Sequence, residues 1–152
     1  MLSSFTTPLA TLGPGIPFAI AAKLARPDEP SVALVGDGAF GFSAMEIDTA
    51  ARHGIPITVV VGNDAAWGIV KRQTEIGFGR SVATDLEPRD YGAVGEALGG
   101  TGERVEETEA LPDALKRAIA SPVPAVVDVL LDRGIEHPAI KLISPMFAPD
   151  PE

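Results

Sequence analysis

The chain has 152 residues, a length that suits one domain with a sizeable buried core. Acidic side chains outnumber basic ones by 21 to 12, giving a net charge of −9 without a basic cluster, so a nucleic-acid partner is not expected. Cysteine is absent, which excludes disulfides and thiolate catalysis and fits a cytoplasmic location. Neither a secretory leader nor a membrane span is expected, and the high mean hydropathy of +0.20 predicts an oligomer that covers apolar surface.

Hydrophobic periodicity and turn residues predict alternating helices and strands. In chain order the predicted elements are a loop over 1–14, a helix over 15–26, a strand over 31–35, a helix over 43–53, a strand over 57–61, a helix over 65–73, a loop over 77–80, a helix over 88–98, a strand over 101–105, a helix over 109–120 and a strand over 124–130. The apolar residues Ile16, Ile20 and Leu24 mark the expected buried face of the first helix.

Two helix starts are predicted from capping residues. Ser43 and Glu46 form a capping-box pattern, and Thr108 precedes the last helix. Strands that alternate with helices predict an α/β fold, a doubly wound parallel sheet with helices on both faces. One domain is expected over residues 1–135, followed by an irregular, proline-rich tail over 136–152.

An acidic residue follows each of the first two predicted strands. Asp37 lies in Gly36-Asp37-Gly38, and Asp64 follows a run of β-branched residues. Because a right-handed crossover makes the two strands parallel, both carboxylates are expected at the carboxyl edge of the sheet, where open α/β folds bind ligands. Two carboxylates beside the backbone N–H groups of residues 38–40 suit a hard divalent cation that holds a phosphate. An ordinary turn at Asp37 and an Asx-type loop at Asp64 form the alternative that the local dipeptides allow.

The same residues resemble the cofactor motif of thiamine diphosphate-dependent decarboxylases and carboligases. Gly36-Asp37-Gly38 is separated by 24 residues from Asn63-Asp64, where that motif has Gly-Asp-Gly, a spacer of similar length and Asn-Asn. The likeness covers nearly the whole chain, and residues 36–46 and 62–68 carry it most clearly. The chain is most similar to the C-terminal, pyrophosphate-binding domain of acetolactate synthase-like enzymes.

The resemblance implies thiamine diphosphate and Mg²⁺ as cofactors. Asp37, Asp64 and the backbone carbonyl of Ala66 would hold the metal. Asp64 stands where the family has its second asparagine, a departure that adds a negative charge beside the diphosphate. The residues that the resemblance implies at the cofactor are Ala10, Leu12, Gly36, Asp37, Gly38, Ala39, Phe40, Asn63, Asp64, Ala66, Gly68 and Ile69.

Some of these residues would contact the organic part of the cofactor. The resemblance places Leu12 as the bulky residue that bends the cofactor into a V shape, and the backbone of Ala10 as an acceptor for its 4′-amino group. The residues alone would make Leu12 an ordinary buried leucine. Gly68 and Ile69 would flank the diphosphate and the thiazolium ring.

In the resembled family the cofactor lies between this domain and a pyrimidine-binding domain, whose glutamate activates it, so no catalytic residue is expected in this chain. The leading hypothesis is half of the active site of an acetolactate synthase-like lyase or transferase, a decarboxylase or carboligase for 2-oxo acids or related substrates. A non-catalytic interaction module that only pairs with a partner subunit is the alternative. A generic Rossmann nucleotide binder is disfavoured.

Several other polar residues are interpreted more simply. Trp67 fits a substrate pocket and a packing role equally well. Lys71 and Arg72 are interpreted as part of a solvated helix face, with contact to an anionic substrate as the alternative. Glu46 is interpreted as a capping partner and Asp48 as a solvated side chain. His53 would complement the dipole at the end of its helix, and His137 is assigned no role.

Overall fold

The computed structural model describes residues 11–135, so Ala10 and the predicted tail lie outside the described part. The elements are α1 (Gly15–Ala25), β1 (Val32–Gly36), α2 (Asp37–Ser43), α3 (Glu46–Arg52), β2 (Thr58–Asn63), α4 (Gly68–Phe78), α5 (Tyr91–Ala97), β3 (Thr101–Val105), a 3₁₀ turn (Thr108–Ala110), α6 (Leu111–Ile119) and β4 (Ala125–Leu130). The four strands form a parallel sheet in the order β1-β2-β4-β3.

The sheet confirms the predicted α/β class. All three strand pairings are parallel, and β2 lies between β1 and β4 with Gly36 opposite Gly62 at the carboxyl end. The central strands are buried and β-branched, as expected for a sheet covered on both faces. Parallel strands end at one edge, so the segments that follow β1, β2 and β4 meet there.

Helices cover both faces of the sheet. One core layer joins α1, α3 and α5 to the sheet through a cluster that includes Ile16, Ile47 and Val61. The other layer is smaller and packs α6 against β3 and β4, with Ala114 and Val127 at its centre. On that second face the edge strand β1 is less covered, and Leu34 is 79% exposed.

The second helix begins six residues earlier than predicted, and the capping box is wrong. Gly36 is the extended N-cap residue (φ −78°, ψ 162°), so the chain passes directly from β1 into α2 at Asp37. Ser43 ends α2 rather than starting a helix, and its buried hydroxyl has no hydrogen-bond partner among the described residues. A break at residues 44–45 then separates α2 from α3, whose N-cap is Met45.

Other local predictions also needed correction. Leu24 is 65% exposed, and Ala19 lies in the core of α1 instead. Thr108 does not cap α6, because it begins a 3₁₀ turn that leads into that helix. The predicted helix over 88–98 starts only at Tyr91, where the carboxylate of Asp90 accepts a hydrogen bond from the Ala93 N–H at 3.0 Å.

Candidate functional site

The carboxylates of Asp37 and Asp64 converge on one backbone amide. The Ala66 N–H donates to Asp37 Oδ2 and to Asp64 Oδ1, each at 3.2 Å, so these two oxygens are at most twice that distance apart. Asp37 is 3% exposed and also accepts a hydrogen bond from the Gly38 N–H at 2.8 Å. The structure therefore brings together the two acidic side chains that the parallel crossover places at one edge.

The environment of Asp37 disfavours its charged form. Burial raises the pKa of the Asp37 carboxyl, and the negative charge of Asp64 raises it further. Hydrogen bonds from the backbone N–H groups of Gly38 and Ala66 act in the opposite direction but do not cancel the effect. A positive ion between the two carboxylates would reverse the repulsion, so the pair has the electrostatics of a cation site.

The turn over residues 63–66 places the half-buried Asp64 and the buried Ala66 on the wall of a cleft. Ala65 holds a left-handed backbone conformation with φ +48°, which is uncommon for a residue with a Cβ. The guanidinium of Arg133 donates to the backbone carbonyls of Asp64 and Ala65. On the other side the Ala65 N–H donates to Asn63 Oδ1 at 3.2 Å. The turn is thus held by a long-range contact from Arg133 and by a local contact from Asn63.

A cleft of about 620 Å³ opens at this edge of the sheet. The first residue of α4, Gly68, lies so close to Asp64 that a Cβ at position 68 would come within 2.5 Å of Asp64 Oδ2. At Gly36 a Cβ would meet nothing within 4 Å, so this glycine leaves open space beside the carboxylates. Because the first N–H groups of a helix have no partners within it, the N-terminus of α4 adds a weakly positive end to the cleft.

Most of the residues predicted at the cofactor line this cleft. They are Leu12, Gly36, Asp37, Gly38, Ala39, Asp64, Ala66, Gly68 and Ile69. The side chains of Phe40 and Asn63 are instead buried, and neither lines the cleft. Ala10 lies outside the described residues.

Comparison with known proteins identifies the chain. It matches the family described as "Thiamine pyrophosphate enzyme, C-terminal TPP binding domain" over residues 2–129. The chain belongs to this family. The resemblance drawn from the sequence is therefore confirmed, and thiamine diphosphate is the cofactor of the family, with Mg²⁺ as its usual partner metal.

Relatives of this thiamine diphosphate-binding domain are much longer proteins. It is 48% identical over 132 residues to the acetolactate synthase large subunit IlvG of Mycobacterium tuberculosis, covering 86% of this chain and 24% of that protein. It is 38% identical over 128 residues to 2-hydroxyacyl-CoA lyase 2 of Homo sapiens, covering 81% and 20%. The thiamine diphosphate-dependent 4-hydroxybenzoylformate decarboxylase of Rhodococcus jostii RHA1 superposes with a TM-score of 0.74 at 28% identity, covering 80% and 24%. The chain thus spans about a quarter of their length.

Glycine spacing alone would not have separated this family from a Rossmann nucleotide binder. Gly36, Gly38 and Gly41 have the Gly-x-Gly-x-x-Gly spacing after the first strand and at the start of a helix. The family match and the second half of the motif at residues 63–64 decide between the two.

Trp67, Lys71 and Arg72, which the sequence offered as possible substrate contacts, all line the cleft. The cleft residues that the sequence did not predict come from β2, from α4 and from the segment after β4: Gly62, Val70, Glu75, Leu131, Asp132, Arg133 and Ile135. Lys71 pairs with Asp85 at 2.6 Å, and Arg72 pairs with Glu75 at 3.3 Å, so each cation has an acidic partner. Residues 131–135 could have been predicted at the cleft from the parallel direction of β4, because its carboxyl end lies at the same edge of the sheet as those of β1 and β2.

A second, more apolar chamber of about 310 Å³ adjoins the cleft. Trp67 lies between the two, with its ring against Gly38 and in an edge-to-face contact with Phe42 at 5.7 Å. Tyr91 lines the chamber, and its ring packs edge-to-face on Phe40 at 5.2 Å.

Within residues 11–135 no group of three or more His, Cys, Asp or Glu side chains could hold a metal ion. A cation site in this part of the chain would therefore rest on the two carboxylates with backbone oxygen and ligand oxygen. No helix in this same part is long and apolar enough to cross a membrane.

Proposed function

We propose that this chain binds Mg²⁺ and the diphosphate of thiamine diphosphate in the 620 Å³ cleft, as half of the active site of an acetolactate synthase-like decarboxylase or carboligase. The single observation that carries the proposal is the convergence of Asp37 and Asp64 on the Ala66 amide, each at 3.2 Å. The two aspartates lie in the sequence segments that also carry the family motif.

The donor set fits the cation. Mg²⁺ prefers hard oxygen ligands, often one or two carboxylates completed by phosphate oxygens and water. Asp37 and Asp64 supply the carboxylates, and the backbone carbonyl of Ala66 is the proposed third protein ligand. The raised pKa of the Asp37 carboxyl supports the same assignment, because the unfavourable repulsion between the two acids is relieved by a bound dication.

The surroundings also fit a diphosphate. Gly36 leaves room for close approach of a ligand to the backbone, and the N-terminus of α4 at Gly68 favours an anion. Leu12 is 50% exposed in the cleft wall, where a cofactor would cover it. When bound, thiamine diphosphate supplies the nucleophilic thiazolium carbon, while residues of this chain hold the diphosphate and exclude water.

The proposed reaction requires a partner. We assign the activating glutamate to a pyrimidine-binding domain or subunit of the same cytoplasmic, oligomeric enzyme. The substrates are proposed to be 2-oxo acids or related small molecules, because the relatives include an acetolactate synthase and a 4-hydroxybenzoylformate decarboxylase. The 152-residue chain by itself is expected to bind the cofactor weakly and to turn over nothing.

Titration of the full chain with MgCl₂ and thiamine diphosphate tests the proposal. Trp67 is the single tryptophan and lines the cleft, so its fluorescence should change when the cofactor binds. The change should require both Mg²⁺ and the diphosphate, and thiamine without phosphates should not produce it. Binding that is unaffected by chelation of the metal, or by the variant Asp37→Ala, would refute the metal–diphosphate site.

The alternative is a non-catalytic interaction module. The substitution of aspartate for the second asparagine of the motif favours it, and so do exposed apolar side chains such as Leu34 and Phe78, each 79% exposed. Calorimetry separates the two functions, because a pure interaction module should release no metal-dependent heat with the cofactor. Measurable decarboxylation of a 2-oxo acid by the chain alone would contradict the proposal of half a site.

A further inference from the structure

A second acidic side chain is buried behind the cofactor cleft without lining it. Asp128 lies in the middle of β4, has no exposed surface and follows three buried apolar residues of that strand. Burying a carboxylate is costly unless it is hydrogen-bonded, so its partners show what the fold gains from it.

Three segments of the chain supply those partners. Asn63 donates from Nδ2 to Asp128 Oδ1 at 2.9 Å, and the Tyr91 N–H donates to Asp128 Oδ2 at 3.2 Å. The guanidinium of Arg104 lies 3.7 Å from the same Oδ2. Burial raises the pKa of the Asp128 carboxyl, whereas the contacts from Asn63, Tyr91 and Arg104 act against that rise. The Asp128 side chain thus links β3, the end of β2 and the start of α5.

The bond to Asn63 has a consequence for the cofactor turn. A carboxylate can only accept hydrogen bonds, so the amide of Asn63 must present its Nδ2 to Asp128. Nδ2 also donates to the Arg89 carbonyl at 3.0 Å, which fixes the same orientation. Asn63 Oδ1 is thereby directed to the Ala65 N–H, at 3.2 Å.

Ala65 is the left-handed residue of the turn, and the next amide, that of Ala66, holds both acidic side chains of the cleft. The second oxygen of Asp128 accepts from the first amide of α5, so only Oδ1 faces the cofactor turn, through Asn63.

We propose that Asp128 is a positioning residue for the cofactor turn: it orients the Asn63 amide, which holds Ala65 in its left-handed conformation and so presents Asp64 and Ala66 to the metal. The inference rests on the proposed function for its ligand, but the orientation of the turn is a property of the chain without the cofactor. The two can therefore fail separately.

The variant Asp128→Asn tests the proposal with almost no change in shape. Its amide can donate as well as accept, so the Asn63 side chain keeps only the Arg89 carbonyl to fix its orientation. Affinity for Mg²⁺–thiamine diphosphate should fall about tenfold, the lower end of what outer-shell partners contribute to metal affinity. Arg117→Gln is the matched control, since it removes a cation beside β3 whose hydrogen bonds go to Glu103; its affinity should stay within about twofold of the parent.

Two measurements distinguish positioning from a purely structural role. In an Asn63→Ala background the Asp128→Asn change should add no further loss of affinity, because both act through one contact; additive losses would overturn the proposal. Amide hydrogen exchange at Ala65 and Ala66, measured without cofactor, should accelerate in Asp128→Asn relative to amides of β4. Unchanged exchange at these two amides in a folded variant would overturn it.

These measurements also separate the possible failures. If the parent chain shows no Mg²⁺-dependent binding, the proposed function is wrong, and the exchange of Ala65 and Ala66 still decides the role of Asp128. If Asp128→Asn does not fold, Asn63→Ala with native Asp128 carries the same test: its Ala65 amide should exchange faster, and an unchanged rate would refute the route through Asn63.

Discussion

Asp64→Asn is the most informative single substitution in the cleft. It keeps an oxygen ligand at position 64 and restores the asparagine of the family motif, but it removes one of two negative charges that converge on the Ala66 amide. In the chain without cofactor this should relieve repulsion of Asp37. In the complex it should remove repulsion of the diphosphate while retaining contact with the metal.

The size of the effect follows from the geometry. The two carboxylate oxygens that share the amide lie at most twice 3.2 Å apart. Two unit charges about 5–6 Å apart repel by about 3 kcal/mol at an effective dielectric constant of about 20. Asp64 is half-buried, so solvent screening reduces this to on the order of 1 kcal/mol.

The sign of the pH dependence is also determined. The pKa of the Asp37 carboxyl is raised in the folded chain, so the repulsion is fully present above that raised pKa and is lost as the pH falls through it. Asp64→Asn should therefore increase the free energy of unfolding at pH 7 by on the order of 1 kcal/mol, with the gain shrinking toward acid pH.

Urea unfolding at several pH values measures the first effect, and titration of Trp67 fluorescence measures cofactor binding. Asp132→Asn is the matched control: it removes a negative charge from the cleft wall away from the pair, and its oxygen can still accept from the Gly134 N–H. Abolished metal-dependent binding in Asp64→Asn would refute the role given to this residue. A stability gain equal to that of Asp132→Asn would refute the pairwise repulsion.

Three further predictions concern the same cleft. Asp37→Asn removes a buried charge but leaves one oxygen for the N–H groups of Gly38 and Ala66, so the unfolding free energy at neutral pH should change little. Mg²⁺-dependent binding should weaken in calorimetry, and unchanged binding would contradict the assignment. Gly36→Ala should leave the unfolding free energy nearly unchanged, since the added Cβ meets nothing within 4 Å, but it should lower cofactor affinity at least tenfold. Gly41→Ala is the control, because its Cβ is equally free of contacts and its cofactor affinity should equal that of the parent. Equal affinities of the two variants would show that no ligand enters the space at Gly36. Gly68→Ala should displace the Asp64 carboxylate, which lies 2.5 Å from the new Cβ, and weaken Mg²⁺-dependent fluorescence changes at least tenfold; an unchanged titration would show that Asp64 is not needed in its present position.

The sequence was sufficient for the fold class and for the meeting of the two acidic residues. Short β-branched runs, one helix-length spacer and the hand of the crossover place Asp37 and Asp64 at one edge of the sheet. The start of α2 was missed because Gly36 adopts an extended N-cap conformation without a capping side chain, a feature that has no sequence pattern of its own.

The face of the sheet on which the Asn63 side chain lies could have been predicted from the sequence. Side chains alternate along a strand, and Val59 and Val61 are both fully buried, so position 63 shares their face. Its partner Asp128 lies 65 residues away along the chain, and the contact of Arg133 with Asp64 spans 69 residues. Contacts of that separation arise from strand order, which local patterns do not determine.

The left-handed conformation of Ala65 couples the cleft to β4, a strand that is far from Ala65 along the chain. Holding an L-residue with a Cβ at φ +48° costs about 1–2 kcal/mol, and that cost is offset by contacts that exist only when β2 and β4 are paired. Local unfolding of β4 therefore lets the turn relax and lowers affinity for the ligand. By thermodynamic reciprocity a bound ligand must in turn protect β4 from opening, so the slowest-exchanging amides of the sheet should report on occupancy of a cleft they do not touch.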